Sequence, residues 1–240
     1  MNESAHIVSA FDSDLRQIEN LVVAMGGLVE QQIEMAAEVI VTRDLELAEK
    51  LIASDKPVDA MQLEIDELVV RIIALRQPKA QDLRAVLAAL KVAADLERIG
   101  DYAKNLAKRT NVLAQVSPIG SSSKTIKRMC LMVREMVKDV LDAYLVRDVA
   151  SANEVRLRDE EIDQIHNNLF RTLLTYMLED PRHITACMHL LFISKNVERM
   201  GDHTTSVAEQ IIFLITGELP DDDRPKGDTT STTLVDGPAS

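Results

Sequence analysis

Apolar residues recur at a helical interval along nearly the whole chain. Ile7, Phe11, Leu15, Ile18, Leu21, Met25, Leu28, Ile33 and Ile40 trace one face over 7–41, the period of a helix that buries one side. Gly26-Gly27 interrupts this run. Two glycines cost about 1 kcal/mol each inside a helix, so the pair predicts a kink or a close helix contact. Asp44 predicts the N-cap of a second helix that reaches about Leu75. Gln77-Pro78 ends it, because the residue before a proline avoids the α region, and Pro78 suits the first turn of a third helix to about Ala114.

Ser117-Pro-Ile-Gly-Ser-Ser-Ser123 reads as a linker. Beyond it the rhythm resumes over 124–146. Asp148 then caps a helix that stops at Glu179-Asp180-Pro181, and a final helix runs to Thr216 with Gly217 as its C-cap. Each half therefore reads helix, helix, proline turn, helix. The predicted fold is all-α: two tandem, pseudo-symmetric, antiparallel three-helix bundles over 1–116 and 117–217. Residues 218–240 are polar and rich in Pro, Gly and Thr, and are expected to form a disordered tail.

Composition narrows the function. The 240 residues contain only 3% aromatics and no Trp, which suits helices packed through Leu, Ile, Val and Ala better than a sheet. A net charge of −12 argues against a nucleic-acid binder. The basic run Lys124-Thr-Ile-Lys127-Arg128 reads as a solvated helix face. Cys130 and Cys187 lack metal-type spacing and read as reduced packing residues, and no segment resembles a signal peptide or membrane span. The expectation is a soluble cytoplasmic protein.

Two stretches stand out, DLERIGDYAKN at 95–105 and NVERMGDHTTS at 196–206. Glu97 and Asp101 recur 101 residues later as Glu198 and Asp202. Carboxylates four apart share a helix face and repel by about 0.2–0.5 kcal/mol even in solvent. Counting from the turn prolines adds a partner to each pair. Glu97 and Asp101 lie 19 and 23 residues after Pro78, and Asp59 and Asp55 lie 19 and 23 before it. Glu198 and Asp202 lie 17 and 21 after Pro181, and Asp163 and Asp159 lie 18 and 22 before it. At about 1.5 Å per residue, both hairpins bring two carboxylate pairs to one level, roughly 28–35 Å from the turn.

Stepping back by sevens from Glu97, Asp101 and Glu198 lands on Leu90, Leu87 and Leu191, so the carboxylates prolong the apolar seam; Lys195 interrupts the same stripe. Four acids at such a place take up protons, find basic partners or bind a cation. Oxygen-only ligands favour magnesium, calcium, manganese or iron. Gly100 and Gly201 clear space beside them. A purely structural helical scaffold with acidic stripes answered by Arg98 and Arg199 is the competing reading. A carboxylate-bridged metalloenzyme is a weaker one, since Glu-x-x-His occurs only at Glu3–His6 and Asp-x-x-His at Asp163–His166. His203 points away from Asp202, and no phosphate loop or activated nucleophile is evident. The chain reads as non-enzymatic.

At these residues the chain resembles the PhoU family, accessory proteins of bacterial phosphate-specific transport. The resemblance spans about 5–216 and is carried by Met25-Gly-Gly-Leu-Val-Glu-Gln-Gln32, Arg76-Gln-Pro-Lys-Ala-Gln-Asp-Leu-Arg84, Asp95-Leu-Glu-Arg-Ile-Gly-Asp101, Tyr176-Met-Leu-Glu-Asp-Pro181 and Ile193-Ser-Lys-Asn-Val-Glu-Arg-Met-Gly-Asp-His203. It implies a regulator that damps phosphate uptake and the starvation response when phosphate is sufficient. The implied partners are the phosphate ABC transporter ATPase subunit and the sensor histidine kinase, with a homodimer as the expected assembly. It also implies divalent or trivalent metal ions (magnesium, manganese, iron or zinc) on Asp55, Asp59, Glu97, Asp101, Asp159, Asp163, Glu198 and Asp202.

Overall fold

The computed structural model describes residues 3–220 and 228–230, with side chains described from Phe11 onward. The rest of the expected tail, 221–227 and 231–240, lies outside the described residues. Among the described residues seven α-helices follow one another: α1 Glu3–Thr42, α2 Leu45–Ala53, α3 Asp55–Arg76, α4 Gln81–Leu113, α5 Ser122–Val146, α6 Val149–Glu179 and α7 Ile184–Thr216. A 3-10 turn, Pro181–His183, joins α6 to α7.

The capping chemistry places the helix ends where the sequence expects them. Asp44 accepts the amides of Glu46 at 2.9 Å and Leu47 at 3.1 Å. Asp148 accepts Ala150 at 2.9 Å and Ser151 at 3.3 Å, using the orphan donors of the first turn. Gly217 closes α7 in the left-handed region, its N–H donating to Phe213 O at 2.9 Å.

Two expectations are corrected. The helix expected from Asp44 to Leu75 is broken at Ser54 into α2 and α3. Pro57 has no amide hydrogen for the carbonyl four residues back, Ala53, where α2 ends. Ser54 ties off the break: its N–H reaches Lys50 O and Leu51 O, and its hydroxyl donates to Leu51 O at 2.7 Å. Pro78 also lies outside α4, which begins at Gln81; Gln77 turns left-handed (φ 48°) and closes α3.

The two halves lie side by side around one continuous core. Within the first half, α1 and α3 pack on α4; within the second, α5 and α6 pack on α7. Across the halves, α4 packs along α7 and α1 along α5. Both cross-pairs are antiparallel. Glu38–Lys127, Glu34–Arg134 and Glu19–Arg147 form a ladder of ion pairs down α1 and α5, while Arg128 of the same basic run pairs with Glu161 on α6. α1 runs unbroken through Gly26, where Leu141 packs against it and its side chain fills the place a Cβ would take. Cys130 and Cys187 are free and buried.

Candidate functional site

The α4–α7 contact sets where the carboxylates lie. His203 Nδ1 stands 2.8 Å from Asp95 Oδ1, and its ring lies 5.7 Å from that of Tyr102, centroid to centroid. Tyr102 and His203 are 101 residues apart and hold equivalent places in the two repeats, so the crossing point of the two helices lies at the motifs themselves. Glu97, Gly100 and Asp101 turn toward α3, while Glu198, Gly201 and Asp202 turn toward α6. The two carboxylate groups therefore sit back to back across α4 and α7.

The level-matching holds in three dimensions. A Cβ placed on Gly100 would lie 3.7 Å from Val58, which stands between Asp55 and Asp59; one placed on Gly201 would lie 3.8 Å from Ile162, between Asp159 and Asp163. The same position of each middle helix thus crosses the same glycine of each last helix. Close approach is needed at both. The Gly100 Cβ would meet Gln32 Oε1 at 2.7 Å, and that of Gly201 would collide with Asp159 Oδ1. Gln32 reaches over from α1 and donates to Ser54 O at 3.0 Å and Ser54 Oγ at 3.2 Å, fixing the α2–α3 break next to Asp55.

In the first group Asp55 is buried at the start of α3, Glu97 and Asp101 are half-buried and Asp59 is exposed. Desolvation by its neighbours, then the Asp55 charge, raises the Asp59 pKa, with Lys104 working against them. Glu97 is raised by partial burial and then by Asp101, against Arg98, with further contributions from Asp59 and Asp55. Four acids that feel one another in this way occupy one neighbourhood. Lys104, one turn beyond Asp101, lies between them: its ammonium donates to the Asp55 carboxylate and to Asp101 Oδ1 at 2.5 Å. Burial disfavours its charge, but the two hydrogen bonds outweigh that and raise its pKa. Arg98 adds looser contacts of 3.8 Å to Glu97 and Asp101 from solvent.

The second group lies deeper. Asp159, Asp163 and Glu198 are buried and Asp202 is partly so. Burial, with Asp202 and Asp163 adding to it, pushes Glu198 up to about 7 against the pull of Lys195. Lys195 Nζ donates to Glu198 Oε1 at 2.6 Å and to Asp228 Oδ2 at 2.7 Å. Glu198 Oε2 is buried with no donor among the described residues. Beside this group His166 is buried; Ser194 Oγ donates to Leu191 O at 3.0 Å and lies 3.1 Å from His166 Nδ1. Burial, opposed by Asp228 and assisted by Lys195, brings His166 down to about 4.

Sequence reasoning missed several of these residues. Lys104 carries a local signal, since it lies three residues after Asp101 on the same face. Lys195 reads as a flaw in the apolar stripe and proves to be the counter-ion of Glu198. Gln32 and Asp228 carry no local signal. All eight predicted residues are brought to their two levels. As the side chains stand, no three Asp, Glu, His or Cys groups among the described residues converge on a point that could hold a metal ion; lysine ammonium groups lie among the carboxylates instead. The donor set still suits a hard cation: among the described residues Lys104 and peripheral Arg98 counter the four acids of the first group.

Fold and site together define a helical protein of duplicated bundles carrying paired carboxylates. A family model described as the PhoU domain matches residues 22–110 and again 126–211. The chain belongs to the PhoU family. It is 46% identical over 228 residues to the "Phosphate-specific transport system accessory protein PhoU homolog" of Rhizobium meliloti (strain 1021), covering 95% of this chain and 96% of the relative. The crystal structure of PhoU from Pseudomonas aeruginosa matches with a TM-score of 0.84 and 35% identity, over 87% of this chain and all of that one. That of the phosphate transport system regulatory protein PhoU from Streptococcus pneumoniae matches with a TM-score of 0.80 and 28% identity, over 88% of this chain and 99% of that one. Among the described residues no helix is long and apolar enough to cross a membrane.

Proposed function

We propose that this chain is a non-enzymatic accessory protein of phosphate-specific transport, acting in the cytoplasm. In this reading it damps phosphate uptake and starvation signalling when phosphate is sufficient, by contacting the phosphate ABC transporter ATPase subunit and the sensor histidine kinase. The observation that carries the reading is the match of both repeats to the PhoU domain, together with 46% identity over nearly the full length to a relative named as a phosphate-specific transport system accessory protein. The repeats, 1–116 and 117–217, are taken as its two functional units.

Each carboxylate group is proposed as a cation site: Asp55, Asp59, Glu97 and Asp101 in the first, and Asp159, Asp163, Glu198 and Asp202 in the second. A hard cation would supply positive charge that relieves the mutual repulsion of the acids and ties the middle helix of each repeat to the last. What supports this is the raised pKa of Asp59, Glu97 and Glu198 and the buried, undonated Glu198 Oε2. Lys104 and Lys195 act as the protein's own counter-ions and would give way as a cation enters.

Three measurements test the proposal. Metal analysis of the purified chain should show bound metal that Asp101→Ala and Asp202→Ala reduce; unchanged content in the double variant rejects the sites. A starvation-promoter reporter at high phosphate should switch on when the protein is deleted, and a silent reporter rejects the regulatory role. A pull-down with the transporter ATPase and the kinase, with and without metal, tests the partners.

A further inference from the structure

The turn Asp228-Thr229-Thr230 is seated on the second repeat. Asp228 Oδ1 accepts the Thr230 amide at 2.8 Å and the Thr230 hydroxyl at 2.7 Å, which shapes a compact local turn. Two bonds fasten it to the bundle. Asp228 Oδ2 accepts from Lys195 Nζ on α7 at 2.7 Å, and the Thr229 amide donates to Asn167 Oδ1 on α6 at 3.0 Å. The anchors come from both helices that carry the second carboxylate group, and the Asp228 carboxylate is largely shielded there.

We infer that α6 and α7 form a docking surface for the chain's own turn at 228–230, which sits beside the second carboxylate group. The difference between the repeats lies in where each places its lysine. Lys195 precedes Glu198 by one turn, and the equivalent position of the first repeat is Ala94. Lys104 follows Asp101 by one turn, and the equivalent position of the second repeat is Thr205. Lys104 is taken up by two members of its own group, Asp55 and Asp101, whereas Lys195 holds one group member, Glu198, and one acid from outside it. The outer position thus offers a cation to an incoming carboxylate in the second repeat only.

Chain reach agrees with this placement. From Lys195 to the end of α7 the helix climbs about 33 Å. The eleven residues from Gly217 to Asp228 span at most roughly 36–40 Å. Asp228 is therefore within reach of Lys195, and a connection shortened by eight residues, to about 11 Å, would place it out of range even with both side chains extended. The docking rests on Lys195 and Asn167, neither of which is one of the eight carboxylates.

The test is lysine acetylation under limiting reagent on the full-length chain, read by mass spectrometry at Lys195 and at Lys104. An exposed ion pair worth up to about 1 kcal/mol shields its lysine by up to fivefold. Asp228→Ala, and separately deletion of residues 219–226, should raise Lys195 labelling about two- to fivefold and leave Lys104 unchanged. In a Lys195→Ala chain, hydrogen exchange at the Thr229 and Thr230 amides should speed up. Equal Lys195 labelling with and without Asp228, or unchanged exchange at these amides in Lys195→Ala, overturns the inference.

Discussion

Lys195 reaches Glu198 across one helical turn at 2.6 Å, yet this contact does not offset the burial of the carboxylate, whose pKa stands at about 7 against an ordinary 4.5. At this group the folded state therefore holds a proton that the unfolded state has lost between about pH 4.5 and 7. Stability from this group is fully present below pH 4.5 and is lost as pH rises through 7. Glu198→Gln should remove that slope. Urea unfolding of metal-stripped protein at pH 5 and pH 8 should show the variant gaining about 1–2 kcal/mol on the unaltered chain at the higher pH. Identical pH slopes in the two chains contradict this account of Glu198.

His166 has the opposite sign. Its folded pKa of about 4 lies below the ordinary 6.5, so the unfolded chain binds the extra proton between those values. Stability is present above pH 6.5 and is lost as pH falls toward 4. His166→Gln should flatten the acid side of the profile by about 2 kcal/mol between pH 7 and 4.5. A profile as steep as that of the unaltered chain would show that folding does not lower the His166 pKa.

Lys104 is the cation shared by Asp55 and Asp101. Asp55 is buried, so Lys104→Met leaves it without its partner and should cost about 2–4 kcal/mol in chelator-treated protein. If the first group takes up cations, added manganese should restore much of the loss and do so more strongly than in the unaltered chain. Denaturant titrations with and without metal measure both quantities. A variant as stable as the parent in chelator contradicts the role assigned to Lys104.

The glycines separate packing from propensity. Gly201→Ala drives a methyl into Asp159 Oδ1 and should cost about 1–3 kcal/mol by forcing α6 from α7. Gly27 has nothing within 4 Å of its missing Cβ, so Gly27→Ala should stabilise the chain by about 0.5–1 kcal/mol through helix propensity. Thermal melts that move in the same direction for both substitutions would refute the distinction.

Much of the fold is written locally. The helical period, the caps at Asp44 and Asp148 and the glycine stop at Gly217 depend on residues within a turn or two of one another, so they can be read without knowing what the helix touches. The level-matched carboxylates were legible for a related reason. A helix rises a constant 1.5 Å or so per residue, and a short turn between antiparallel helices makes distance from the turn a shared coordinate. The Ser54 break was also local, carried by Pro57, but the longer apolar rhythm masked it.

What the tertiary structure alone decided is how the repeats meet and what answers their charge. Tyr102 and His203 pack at the crossing of α4 and α7 and set the two carboxylate groups back to back, a relation that no spacing within one repeat encodes. Gln32 reaches Ser54, and Asp228 reaches Lys195, across 22 and 33 residues. Such pairs form because packing brings distant side chains together. Local sequence placed eight acids at two levels; the packing of the helices decided which lysine shares each group and which group receives the C-terminal turn.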